Sequence, residues 1–96
     1  MSAGIEQTAA GITVTGHMTM ETAAALLAAG TDVLGKGAPV CDLSAVAHID
    51  SAGLAVLFGW QRAVEARGQS LRIVNPPASL IGLADVYGVS ELLSLS

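Results

Sequence analysis

Alternation comes first in this chain. Ile5, Gln7 and Ala9 begin a weak period of two, Ala10-Gly11 interrupts it, and Ile12-Thr13-Val14-Thr15 resumes it. The pattern predicts an opening pair of strands with one wet face, closed at Gly16. The period then becomes helical. Met20, Ala23, Ala24, Leu27, Thr31 and Leu34 share one side of a helix predicted from Met20 to Leu34, with Thr19 as N-cap and Gly35-Lys36-Gly37 as its stop. Val40, Cys41 and Leu43 make Pro39 to Ser44 a buried strand, followed by a loop through Ala47-His48-Ile49-Asp50. A second helix is predicted from Gly53 to Arg67, stopped by Gly68. Leu71 to Val74 is the next strand, and Asn75-Pro76-Pro77 opens a helix from Ala78 to Tyr87, stopped by Gly88. Leu80, Leu83, Ala84 and Tyr87 line its inner face, and Leu92, Leu93 and Leu95 fold the tail back on the body.

The order strand, strand, helix, strand, helix, strand, helix predicts an α/β fold. The later strand–helix–strand step implies a parallel pair with a right-handed crossover. The expected architecture is a small mixed sheet of four to five strands with helices mainly on one face. Nothing along residues 1–96 marks a second domain, linker or repeat, so one domain is expected.

Composition narrows the function classes. Fifty-two per cent of residues are hydrophobic and 12% are charged, which excludes disorder. The aromatics are Phe58, Trp60 and Tyr87 alone, so the core must be aliphatic. A net charge of −4 with four basic residues argues against nucleic acid and against a polybasic membrane anchor. No apolar run approaches the roughly 18 residues that a membrane span needs, so no membrane insertion is expected. The single Cys41 allows neither an internal disulfide nor a cysteine-based metal cluster, and a cytoplasmic location is expected.

Catalytic chemistry is thin. His48, Asp50 and Ser51 include the residue types of a hydrolase, but such sites recruit distant segments and no nucleophile-elbow pattern surrounds Ser51. His17 and His48 have no ligand partner at metal spacing, and Cys41 lies inside an apolar strand. Gly35-Lys36-Gly37 comes after a helix instead of preceding one, so it does not cradle phosphate. Neither cofactor nor metal is expected, and the chain reads as a protein that is not an enzyme.

The informative stretch is Ile49 to Leu54 and the helix it opens. Asp50 or Ser51 caps that helix, which needs no function to explain it. Capping does not explain the nine consecutive non-polar residues from Ala52 to Trp60. At 100° per residue, Leu54, Leu57, Gln61 and Val64 face the sheet. Ala52, Ala55, Val56, Gly59, Ala63 and Ala66 fall on the other side, bordered by Arg62 and Arg67, which at an interface would pair with carboxylates. Gly59 costs about 1 kcal/mol in a helix interior, and two readings remain open for it: a partner's backbone approaching, or a neighbouring helix of the same chain. Trp60 is either core or a binding anchor.

The strand Val40-Cys41-Asp42-Leu43-Ser44 followed by Ile49-Asp50-Ser51-Ala52-Gly53-Leu54 resembles the STAS domain, named for sulfate transporters and anti-sigma-factor antagonists. Arg67-Gly68, the strand Leu71 to Val74 and the helix end Tyr87-Gly88-Val89 extend the likeness over nearly the whole chain. The resemblance implies a non-catalytic binding module. In anti-sigma-factor antagonists the hydroxyl phosphorylated by the partner kinase directly precedes the motif's Gly; here that residue is Ala52, and Ser51 carries the nearest hydroxyl. Trp60-Gln61-Arg62 and Pro77-Ala78-Ser79-Leu80 are similar to the branch that serves bacterial lipid-transporting ABC complexes. That branch implies docking to the ATPase subunit through Asp50, Ser51, Ala52, Gly53, Val56, Gly59, Trp60, Arg62 and Ala63. The alternative implied partner is an anti-sigma-factor kinase, with Ser51 as phosphate acceptor. The same Ala/Gly face would also let the chain pair with itself as a homodimer.

Overall fold

The computed structural model describes residues 3–35 and 38–93. Strands β1 (Ala3–Gln7) and β2 (Gly11–Met18) form a hairpin, then come α1 (Ala23–Leu34), β3 (Val40–Ile49), α2 (Ser51–Glu65), β4 (Arg72–Val74) and α3 (Ala78–Val86). A single 3₁₀ turn, Ser90–Leu92, closes the described chain. The sheet order is β1-β2-β3-β4, antiparallel between β1 and β2 and parallel across the other two pairs. This is the mixed sheet that the sequence predicts.

The hairpin turns at Ala9-Ala10, where Thr8 and Gly11 exchange backbone hydrogen bonds of 2.8 and 3.2 Å. Gly11 is required twice over: its φ is +151°, and a Cβ there would stand 2.0 Å from the Val40 carbonyl oxygen. β2 then lies close against the start of β3.

Helices α1 and α2 pack on one another and on the same face of the sheet. Between the layers sit Ile12, Val14 and Met18 of β2, Cys41, Leu43, Val46 and Ile49 of β3, and Leu54, Leu57, Trp60 and Val64 of α2. The opposite sheet face carries Thr13, Thr15, Asp42 and His48, and no helix covers it among the described residues. His17 and His48 are register partners there, with ring centroids 6.1 Å apart.

Several boundaries differ from the periodicity. β2 continues through Gly16 to Met18, because Gly16 (φ +85°) sits beside a register shift instead of ending the strand. β3 absorbs the expected loop and reaches Ile49. Register shifts between Thr13 and Thr15 and between Gly16 and His17 leave Ser44-Ala45 and Ala47-His48 exposed as pairs. An extra residue breaks the period of two, so the strand's far half looks like a loop in sequence. Helix α1 begins at Ala23, three residues late. The Thr22 hydroxyl donates to the His17 carbonyl at 2.7 Å and accepts the Thr19 N–H at 3.1 Å, holding residues 19–22 as a turn.

The inner face of α1 is also rotated. Leu26, Gly30 and Leu34 are buried, whereas Met20 is 80% exposed and Leu27 40%. Gly30 sets this orientation: a Cβ there would meet the Trp60 ring at 2.2 Å, so the indole lies directly on the helix backbone. Its Nε1–H donates to the Leu27 carbonyl at 3.2 Å. Gly35 caps α1 with φ −68°, a right-handed conformation, while Lys36 and Gly37 lie outside the described residues. Gly68 and Gly88, with φ of +77° and +69°, stand after α2 and α3 as expected. Leu80 and Ala84 are the buried residues of α3; Tyr87 caps it instead of lining its inner face. In the tail Leu93 is buried and Leu92 exposed, while Leu95 lies outside the described residues. The Gln61 amide, expected to face the sheet, instead pins this tail by donating to the Leu92 carbonyl at 2.6 Å.

Candidate functional site

Asp50 organises the motif. It lies in extended conformation one residue before α2, and its Oδ1 accepts the N–H groups of Ala52 (2.9 Å) and Gly53 (3.2 Å). These are donors that a helix start leaves without backbone partners. Its Oδ2 accepts the Met20 N–H at 3.1 Å, tying the β2–α1 turn to the start of α2. Burial works to raise the Asp50 carboxyl, but the N–H donors of Gly53, Met20 and Ala52, with the nearby His48, hold it below the usual carboxylate range. Gly53 is buried for a steric reason: a Cβ would stand 2.2 Å from the Met18 carbonyl oxygen. Only a glycine lets α2 enter this close to the end of β2.

The remaining predicted contact residues divide by burial. Trp60 is 0% exposed and has no surface to offer, and Gly53 is likewise interior, whereas Val56, 3% exposed, reaches the surface only at the floor of a groove. Trp60 and Gly53 leave the expected contact set. Of the two readings of Trp60, the core reading holds. Gly59 lies between α1 and α2, where a Cβ would meet Leu27 Cδ1 at 2.6 Å, so the neighbouring helix of the same chain accounts for it. Arg67 does not border a free face: its guanidinium donates to the Leu34 carbonyl at 2.6 Å and to Gln69 Oε1 at 3.0 Å, bracing the end of α1. Ser51, Ala55 and Arg62 are exposed, and Ala52 and Ala63 are half-buried.

An apolar surface does exist, but it is assembled from α1, α2 and the residues that follow α3. Two shallow grooves flank α2 and share Ala55 as the ridge between them. One, about 350 Å³, is lined by Ser51, Leu54, Ala55, Phe58, Tyr87 and Val89. The other, about 370 Å³, is lined by Ala23, Ala24, Leu27, Ala52, Ala55, Val56 and Arg62. Exposed Met20 is held beside the start of α2 through the Asp50 hydrogen bond. Sequence reasoning missed Met20, Leu27, Phe58, Tyr87 and Val89. The helical period assigned Met20, Leu27 and Tyr87 to inner faces, whereas the packed arrangement brings Leu27 and Tyr87 to the grooves and leaves Met20 exposed near the start of α2.

Reactive chemistry is not gathered here. The Asp50 carboxylate is occupied by backbone donors, and no hydrogen bond among the described residues joins Ser51 to His48. Burial, followed by the Asp42 charge, pushes the Cys41 thiol up to about 12, which leaves no thiolate for nucleophilic attack. No group of three or more His, Cys, Asp or Glu able to hold a metal occurs among the described residues. No helix among them is long and apolar enough to cross a membrane.

Residues 1–94 match the protein family described as "Mlab, STAS domain". Over 53 residues, 55% of this chain and 50% of the relative, the sequence is 40% identical to the intermembrane phospholipid transport system binding protein MlaB of Haemophilus influenzae. Over 54 residues, 56% of this chain and 50% of the relative, it is 35% identical to the anti-sigma-B factor antagonist of Bacillus subtilis. The chain thus matches about half the length of these curated relatives. The Bacillus cell fate determinant SpoIIAA in its phosphorylated form superposes with a TM-score of 0.68 at 14% identity, covering 99% of this chain and 89% of that one. At that identity the likeness is one of fold.

Proposed function

The chain belongs to the STAS-domain family of the MlaB type, and we propose that it serves as a non-catalytic interaction subunit that binds and supports the ATPase (MlaF-like) of a phospholipid-transport ABC complex at the cytoplasmic side. One observation carries this reading: the two apolar grooves meeting at Ala55, next to a helix start where Ala52 replaces a phosphorylatable hydroxyl. A methyl group at that position cannot be switched by phosphate, and a permanently apolar surface suits constitutive docking of a folded partner. Asp50 and Gly53 contribute by rigidity: one clamps the β2–α1 turn to α2, the other lets α2 approach β2.

Capture of the purified ATPase by the tagged chain tests the reading. Ala55→Arg places a charge on the ridge at an exposed position and is expected to abolish capture with the unfolding midpoint unchanged. Undiminished capture by a folded Ala55→Arg variant overturns the proposal. Gly59→Glu is a poorer test, since its side chain collides with Leu27 and mixes docking with folding.

A second reading, an anti-sigma-factor antagonist, is favoured by the exposed Ser51 hydroxyl at the first turn of α2. Phosphate there would add about −1.5 to −2 charges at a helix N-terminus. Incubation with an anti-sigma-factor kinase and ATP, read by intact mass, separates the two. A phosphoryl gain on Ser51 supports the second reading and counts against the first.

A further inference from the structure

We propose that the partner seated on this face sets small apolar side chains into the groove between α1 and α2 and places a carboxylate on the Arg62 guanidinium. The inference rests on the docking reading above and names the chemistry of the docked surface. The whole chain has four basic residues. Arg67 is engaged by the Leu34 carbonyl and Gln69, and Arg72 also has a partner, whereas the Arg62 side chain is exposed and its guanidinium has no hydrogen-bond or ion-pair partner among the described residues. Arg62 is also the one charged residue lining a groove otherwise made of Ala23, Ala24, Leu27, Ala52, Ala55 and Val56. Its Nη2 lies 4.0 Å from where a Gly59 Cβ would stand, so the guanidinium sits beside the close contact of Leu27 with the α2 backbone, at the edge of the groove.

Covering the groove constrains the occupant's charge. A wholly apolar partner would strip water from Arg62 and leave five N–H donors unpaired, which opposes binding. A carboxylate meets the planar fork with two parallel hydrogen bonds, each charge-assisted, and strengthens as water is excluded. The net charge of −4 limits the proposal further. A strongly acidic protein or an anionic membrane would be repelled at long range, so the matching surface is a protein segment with an isolated carboxylate among small apolar residues. The lining side chains are short, and an α-helix bearing Ala or Ser beside one Glu or Asp fits between α1 and α2.

Binding of the full chain to the transport ATPase, measured by calorimetry at low and high salt, tests the assignment. Arg62→Ala is expected to weaken binding about tenfold or more and to flatten the salt dependence, with Arg62→Lys intermediate because an ammonium cannot form the fork. Arg62→Glu weakens binding further, and Lys in place of a single ATPase carboxylate restores it. If Ala55→Arg abolishes binding while Arg62→Ala changes neither affinity nor salt dependence, the carboxylate assignment is overturned and the docking reading stands. If Ala55→Arg has no effect, the docking reading falls and this inference falls with it. If the chain ignores the ATPase and light scattering finds a dimer that Ala55→Arg dissociates, the occupant is a second copy and the proposal is overturned.

Discussion

Asp50 shows how one side chain can join two segments. As N-cap alone it contributes about 1 kcal/mol, the usual value for a side-chain oxygen accepting first-turn N–H groups. Its second oxygen holds Met20, 30 residues earlier, so truncation releases two elements at once. Asp50→Ala is therefore expected to cost about 1–2 kcal/mol in urea unfolding, at the upper end of the range for caps. Asp50→Asn should cost less, because its one amide oxygen still accepts. The pH dependence has a fixed sign. The folded carboxyl lies below its unfolded value of about 3.9, so its contribution is fully present above that pH and is lost as pH falls through the folded value. Stability measured from pH 6 to pH 2.5 should fall less steeply in Asp50→Asn than in the unaltered chain; parallel curves would refute the assignment. The capping role is legible from Asp50-Ser51 before an apolar run, because capping is local. The Met20 bond is not, because nothing in sequence spacing brings position 20 to position 50.

At the scale of elements, the orientation of α1 departs from its own pattern because the pattern has little contrast. Ala23, Ala24, Ala25, Ala28 and Ala29 surround the α1 stripe, so many faces look equally apolar. The deciding contact is the largest side chain in the core, Trp60, which needs a position without a Cβ opposite it. The order of elements is legible because turn residues punctuate it: Gly11, Gly68, Pro76-Pro77 and Gly88 all mark real boundaries. The second half of β3 is not, since its bulges erase the alternation. Gly30→Ala should gain up to about 1 kcal/mol of helix propensity yet lose more by overpacking the indole, for a net destabilisation of about 1–2 kcal/mol. Trp60 emission should shift as the ring is displaced. Gly82, inside α3, has no atom within 4 Å of a built Cβ, so Gly82→Ala should stabilise by about 0.4–1 kcal/mol. Denaturant midpoints of the pair check both signs, and equal shifts would remove Trp60 as the orienting contact.

For the whole molecule, the one-sided sheet determines where a partner can be met. All three helices contact the sheet or one another, which leaves an open face of Thr13, Thr15, Asp42 and His48 and a helical face crossed by the two grooves. The helical face collects Leu27 from α1, Ala55 and Phe58 from α2, and Tyr87 and Val89 from beyond α3, while the exposed Met20 is tied to the start of α2 by its N–H. No single stretch of sequence announces it, and the nine-residue apolar run that points toward it commits half its side chains to the core. Aromatic and methionine side chains at such positions are the ones that tend to dominate interface energetics. Tyr87 is 56% and Met20 80% exposed, so truncating either removes little from the fold. Tyr87→Ala and Met20→Ala are each expected to weaken ATPase binding by about 1 kcal/mol or more, roughly fivefold, while stability moves by less than about 0.5 kcal/mol. Ala47→Arg, at an exposed position of β3 that lines neither groove, should leave binding unaltered. Loss of binding in Ala47→Arg, with Tyr87→Ala and Met20→Ala silent, would move the contact surface to β3 and dissociate function from the helix layer altogether.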